Sequence, residues 1–175
     1  MRRKLVIFLI IVVCYILQTA VFPMIPFLGA VPNLMMVITV SIAFMQGSAE
    51  GALTGFICGL LLDISNPGPL GFSALLFVIT GYFSGTFAEK YFDEDIKLPL
   101  LLTLVFDLVY NTIIYIAGFL LRGRTDFAGY LKNIILPEVV STLIMLMLLY
   151  RIILKLNHVM REKEKKGIYS LWIRD

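Results

Sequence analysis

Charge is scarce in this chain. Charged residues make up 15% of its 175 residues, whereas soluble proteins contain roughly 25%. Hydrophobic residues make up 59%, and the mean hydropathy is +0.91. A soluble domain of this length cannot bury so much apolar surface, so the composition excludes a soluble enzyme or binding module. It predicts an all-α integral membrane protein.

Cysteine and histidine are also scarce. Cys14 and Cys58 lie inside apolar runs, so we interpret both as small buried residues. The single histidine, His158, lies in the polar C-terminal tail. The sequence has no Cys/His cluster with metal-ligand spacing, no phosphate-binding glycine loop after a strand and no nucleophile elbow. We therefore expect no metal, no cofactor and no enzymatic activity; a lipid-processing enzyme that uses carboxylates alone is the remaining catalytic alternative.

Six apolar segments are each compatible with a membrane helix. They are residues 5–22, 33–46, 49–64, 70–88, 98–121 and 134–154. Prolines between the first two segments prevent the first helix from continuing. The second segment is short, so we expect it to form a tight hairpin with the third; a five-span alternative makes it re-entrant. The prediction is one bundle over residues 1–156 and a basic tail over 157–175.

The distribution of basic residues predicts the orientation. With six spans, Arg2, Arg3, Lys4, Lys90, Lys97 and the tail lie on one side, and only Arg122, Arg124 and Lys132 lie on the other. Because basic residues concentrate on the cytoplasmic side, both termini are expected in the cytoplasm. The net charge of +3 is located at the two ends of the chain rather than on one face, so no nucleic-acid binding is expected.

Glycines recur every four residues from just before the third segment into it, and two more stand four residues apart in the fourth. They are Gly47, Gly51, Gly55 and Gly59, then Gly81 and Gly85. Residues four apart lie above one another on a helix, so these glycines form grooves without side chains. Membrane helices associate through such close backbone contacts. We expect the third helix to be the packing centre, with its groove filled either by another helix of this chain or by a partner.

Three acids and one amide interrupt the apolar segments: Asp63, Asp107, Asn111 and Glu138. A carboxylate inside a membrane is costly, and by default it indicates a function or a specific partner. The functional alternatives are an ion or proton relay and a polar binding pocket. The structural alternative is a set of interhelical hydrogen bonds that fixes the packing.

The tail combines basic residues with an aromatic end. Arg161, Lys163, Lys165 and Lys166 precede Trp172. Lysine and arginine are attracted to anionic lipid headgroups, and tryptophan prefers the membrane interface. The tail therefore predicts contact with the cytoplasmic lipid surface, with an ordinary positive-inside flank as the alternative.

Three motifs carry a resemblance to a known family. They are Pro32-Asn33-Leu34, Glu50-Gly51-x3-Gly55-x3-Gly59-Leu60-Leu61-Leu62-Asp63 and Pro69-Leu70-Gly71-x2-Ala74-Leu75. Together they resemble the bacterial rod shape-determining protein MreD family. That family often has Asp at the position of Asn33. The specific part of the resemblance covers residues 32–85, and the last two helices match in hydropathy only.

The resemblance implies a non-enzymatic subunit of the cell-elongation machinery in the bacterial cytoplasmic membrane. Its implied partners are the single-span protein MreC, other elongation-complex proteins and membrane lipids. Through MreC it implies a link between the actin-like MreB and peptidoglycan synthesis, and it leaves a homo-oligomer open. It also implies a fold similar to the six-helix substrate-binding subunits of energy-coupling-factor transporters. A small-ligand-binding transporter subunit is therefore the alternative function.

Overall fold

The computed structural model describes residues 2–24, 30–65, 69–90, 96–118 and 127–172, with side chains for 4–24, 30–65, 69–88, 96–118 and 127–156. Every element within these ranges is helical, as the composition predicts. The α-helices are α1 (Arg2–Ile16), α2 (Leu34–Gln46), α3 (Ser48–Ser65), α4 (Phe72–Lys90), α5 (Lys97–Gly118), α6 (Phe127–Tyr130) and α7 (Leu136–Trp172).

Four helical stretches of the described chain are long and apolar enough to cross a membrane. They are Lys4–Met24, Ser48–Ser65, Lys97–Gly118 and Phe127–Leu156. The first consists of α1, a π-helical turn at Leu17–Val21 and a 3-10 turn at Phe22–Met24. The apolar stretches Leu34–Gln46 and Phe72–Ala88 are shorter than a full span. Length and composition thus support four of the six predicted spans.

Helix α2 lies at the centre of the bundle. Every residue from Leu34 to Ala43 is buried, and α2 contacts α1, α3, α4, α5 and α7. The prediction that the third helix is the packing centre is therefore wrong. Helix α3 packs most closely against α4. Beyond that pair, its contacts are mainly with α2, whereas α2 contacts five helices.

Helices α2 and α3 form the expected tight hairpin, joined by the single residue Gly47. Its φ of 91° lies in the left-handed region that favours glycine. Its N–H donates to the carbonyl of Ala43, and its carbonyl accepts from the N–H of Gly51. The chain thus ends one helix and begins the next with no intervening loop.

Contacts between helix ends show that neighbouring helices alternate in direction. Lys4 and Glu50 form an ion pair near the starts of α1 and α3, and Tyr15 and Ser65 are hydrogen-bonded near their ends. These two helices are therefore parallel, with α2 antiparallel to both. The start of α4 meets the second half of α5, and the second half of α5 meets the start of α7.

Helix α7 continues well beyond its apolar part. A π-helical turn at Leu131–Ile135 leads into it, and the backbone remains helical to Trp172. The predicted sixth span ends at residue 154 and the predicted tail begins at 157, but no break in the helix marks either position. The polar tail is thus, in its backbone, a continuation of the last helix.

Candidate functional site

The three glycines of α3 lie directly against the backbone of α4. A Cβ atom on Gly55 would lie 2.2 Å from the carbonyl oxygen of Phe77, and one on Gly59 would lie 2.4 Å from the Cα of Ala74. On Gly51 it would lie 2.6 Å from the carbonyl oxygen of Gly81. Real Cβ atoms do not approach other atoms so closely. Only glycine therefore permits this separation of the two helices.

The glycines of α4 complete the same interface from the other side. A Cβ on Gly81 would lie 2.1 Å from the carbonyl oxygen of Gly51, and one on Gly85 would lie 2.5 Å from the carbonyl carbon of Gly47. All six predicted glycines thus meet along one line, which we call the glycine interface. It is occupied by α4 of the same chain, so a partner helix has no access to it while the pair is intact.

Asp63 caps the start of α4. Its Oδ2 accepts from the N–H of Gly71 at 2.8 Å and of Ala74 at 3.2 Å, and its Oδ1 accepts from the N–H of Ser73 at 3.0 Å. These N–H groups belong to the first turn of a helix, where intrahelical acceptors are missing. The carboxylate also interacts favourably with the positive end of the helix dipole. Among the alternatives for this acid, the geometry favours the structural one.

Asp107 lies in the middle of α5 and is fully buried. Its Oδ1 accepts from the side-chain amide of Asn33 at 3.0 Å. Asn33 is the N-cap of α2: its own Oδ1 accepts from the N–H of Met36 at 3.2 Å. The second carboxylate oxygen, Oδ2, is buried without a hydrogen-bond partner among the described residues.

Helix α7 adds two polar side chains to this cluster. The hydroxyl of Thr142 accepts from the N–H of Asn33 at 2.9 Å and donates to the carbonyl of Glu138 at 2.8 Å. The carboxylate of Glu138 accepts from the amide of Asn111 at 3.4 Å. Asn111 also donates to the carbonyl of Asp107 at 3.1 Å. We call these five residues, Asn33, Asp107, Asn111, Glu138 and Thr142, the polar cluster.

The structure therefore divides the predicted polar residues into two groups. Asp107, Asn111 and Glu138 belong to the polar cluster, whereas Asp63 caps a different helix. Tyr110, which precedes Asn111 in α5, reaches the Asp63 group, since its hydroxyl lies 3.3 Å from the hydroxyl of Ser73, whose N–H donates to Asp63. Tyr110 also packs edge-on against Phe77 in the α3–α4 region, with ring centroids 5.2 Å apart.

Sequence reasoning did not include Asn33, Ser73 or Thr142 among the predicted polar residues, and it named Asn33 only as part of a family motif. Thr142 follows Glu138 by four residues and therefore lies on the same helix face, a signal that was present in the sequence. Ser73 stands in the first turn of α4, shortly after a proline- and glycine-rich stretch of the sequence, where a serine is ordinary. Its contact with Tyr110 depends on how α4 and α5 pack, which no local pattern reports.

Two predicted groups fall partly or wholly outside the described residues. Arg122 and Arg124, predicted on the side opposite the termini, lie in the undescribed range 119–126. The backbone of the tail is described as helix, but the side chains of its predicted lipid-binding residues are not. These are Arg161, Lys163, Lys165, Lys166 and Trp172. Their contact with lipid remains a prediction.

The described side chains contain no group of three His, Cys, Asp or Glu residues that could hold a metal ion. The polar cluster contributes two carboxylates, two amides and one hydroxyl. Chemically it can hold hydrogen bonds, a proton or a weakly bound cation. The glycine interface contributes close packing only.

Comparison with known proteins agrees with the motifs. The family model described as rod shape-determining protein MreD matches residues 1–160, which is nearly the whole chain. No curated protein and no solved structure gave a match. The resemblance first seen in the motifs between Pro32 and Leu75 is thus confirmed and extends over the last two helices. The chain belongs to the MreD family of rod shape-determining proteins.

Proposed function

We propose that this protein is a non-enzymatic membrane scaffold of the bacterial cell-elongation complex. In this proposal it binds an MreC-like single-span protein and so links the actin-like MreB to peptidoglycan synthesis. The observation that carries the proposal is that the packing and polar groups of the bundle contact other helices of the same chain. Glycines, caps and polar side chains are used to hold helices of the same chain together, and the outer surface is left apolar.

The outer surface supplies several faces on which a single transmembrane helix can pack. Exposed apolar residues recur along α7 at Val140, Ile144 and Leu148 and along α5 at Leu101 and Val105. Lipid tails cover such a face as readily as a partner helix, because apolar burial alone does not drive association inside a membrane. The exposed faces of α5 and α7 are therefore compatible with binding of a partner helix. Which face is used depends on the surface of the partner.

The proposed orientation has six spans and both termini in the cytoplasm. It is supported by the alternating helix directions and by the basic residues at both ends of the chain. In this arrangement α2 is short for a span, at about 20 Å for 13 residues, but it is enclosed by other helices and does not need to meet lipid. The tail then continues α7 into the cytoplasm beside anionic headgroups.

The alternative function, a small-ligand-binding transporter subunit, draws on the polar cluster. All five of its residues are joined by hydrogen bonds within the protein, an arrangement that favours packing over ligand binding. The exception among their buried side-chain atoms is Oδ2 of Asp107. A fold similar to energy-coupling-factor substrate-binding subunits belongs to this alternative. Native mass spectrometry of the purified protein distinguishes the two, since only the transporter alternative predicts a co-purifying small organic molecule.

The scaffold proposal is tested by photo-cross-linking in membranes that contain the MreC-like protein. A photoreactive residue is placed singly at Leu101 on α5 or Ile144 on α7, both exposed. We expect at least one position to give a cross-link to the single-span protein, and the two proteins to co-purify. Each position is the negative control for the other, because a partner helix that packs on one face leaves the other face in contact with lipid. Absence of both the cross-links and co-purification would count against the scaffold.

A further inference from the structure

The inference concerns the charge of the polar cluster. Asp107 and Glu138 are close enough to interact electrostatically, and the other side chains that reach them are neutral amides and a hydroxyl. No basic side chain of the described residues neutralises either carboxylate. Buried charges in proteins are ordinarily paired or bound to a cation. If both carboxylates are ionised, the pair needs a positive charge that the described residues do not provide.

The geometry around Asp107 shows where that charge is missing. Oδ1 has the Asn33 amide as a donor, but Oδ2 is buried without a hydrogen-bond partner among the described residues, although the Thr142 hydroxyl lies beside the carboxylate. An ionised Oδ2 therefore lacks a donor. A protonated Oδ2 lacks an acceptor for its own hydrogen. Neither protonation state satisfies this atom within the described residues, which points to a further group in contact with it.

We propose that Asp107 Oδ2 is a ligand of a small monovalent cation of the Na⁺ class, bound between α2, α5 and α7. The neighbouring oxygens that complete its coordination belong to the carboxylate of Glu138 and the hydroxyl of Thr142, which lies beside Asp107 and donates its proton to a backbone carbonyl. Hard cations prefer such oxygen ligands. A water molecule would satisfy Oδ2 but would leave both negative charges in place.

The surrounding groups favour a single positive charge over a double one. The cluster has only two carboxylates. Divalent ions in proteins are usually bound by a larger number of carboxylates or by several waters. The start of α2 points toward Asp107 through Asn33, so the positive end of its dipole already offsets part of the negative charge. Asp63 does not contribute, because three backbone N–H groups satisfy its carboxylate.

The test is the sodium dependence of thermal unfolding of the purified full-length chain in detergent. Unfolding is followed with a thiol-reactive dye, since Cys14 and Cys58 are both buried in the folded protein. NaCl is exchanged for choline chloride at constant ionic strength. We expect the Tm to rise by about 3–5 °C for each tenfold increase of Na⁺ above the dissociation constant, and to respond far less to K⁺.

Two variants and one direct measurement make the test decisive. Asp107→Asn is expected to lose the Na⁺ response whatever its starting Tm, and Glu50→Gln, at the exposed end of α3, is expected to keep it. Radioactive ²²Na⁺ should bind wild-type protein at about one ion per chain. An unchanged wild-type Tm together with no bound ²²Na⁺ would overturn the proposal, as would a full Na⁺ response in Asp107→Asn. The wild-type measurements decide the matter if the variant cannot be purified, and they do not depend on the scaffold function.

Discussion

Replacing Gly55 by alanine is expected to lower the free energy of unfolding by at least about 2 kcal/mol, although alanine is intrinsically the better helix former. The new methyl group would lie 2.2 Å from the carbonyl oxygen of Phe77 and 2.6 Å from its carbonyl carbon. Because these are backbone atoms of α4, no side-chain rotation relieves the clash, and the two helices must separate. A separated pair loses close packing along the whole glycine interface.

The measurement is the Tm of purified variants in detergent, where this change corresponds to a fall of about 4–8 °C. Gly118→Ala is the matched control, because the same substitution near the end of α5 meets no atom within 4 Å. It is expected to leave the Tm unchanged or slightly raised. Equal Tm values for the two variants would contradict the role assigned to the interface.

Replacing Asp63 by alanine is expected to have a similarly large effect, about 2–4 kcal/mol. The substitution leaves the N–H groups of Gly71, Ser73 and Ala74 without their acceptor, at a helix start that is partly buried. It also removes the negative charge from the positive end of α4. Asp63→Asn retains one acceptor oxygen and should fall between alanine and wild type.

Hydrogen exchange locates this effect, because the amides at the start of α4 should lose protection before those of α5. Glu50→Ala is the control acid. Glu50 pairs with the exposed Lys4 at 3.3 Å, and an exposed ion pair contributes at most about 1 kcal/mol. Equal stabilities for Asp63→Ala and Glu50→Ala would show that the cap does not support the helix.

The glycine interface was the most predictable feature of the molecule. Glycines at four-residue spacing in an apolar segment predict close helix packing, and α3 and α4 pack in this way. The occupant of the groove was not predictable, because Gly81 and Gly85 of the same chain and a partner helix satisfy the same pattern. That choice depends on tertiary packing, which the spacing of the glycines does not report.

The central position of α2 was hidden for a different reason. In a soluble protein an all-round apolar helix indicates burial, but in a membrane chain every helix is apolar, since lipid and protein interior select the same residues. Asn33, read as part of a family motif, is also the ordinary N-cap residue that begins this helix. Its bond to Asp107 joins residues 74 positions apart and depends on tertiary packing alone.

Helix α7 shows a related limit. Hydropathy falls after Leu154 because the chain becomes polar, and the predicted segment ended there. The helix continues because its backbone hydrogen bonds do not depend on the surrounding medium. Hydropathy thus located the apolar part of the helix but not its end.

The scaffold account is tested most directly by depleting the protein in its rod-shaped host and following cell shape by microscopy. The account predicts that cells become round as the protein disappears, and that expression of wild-type protein or Gly118→Ala restores rods while Gly55→Ala restores them poorly. Cells that remain rod-shaped after the protein has gone would contradict it.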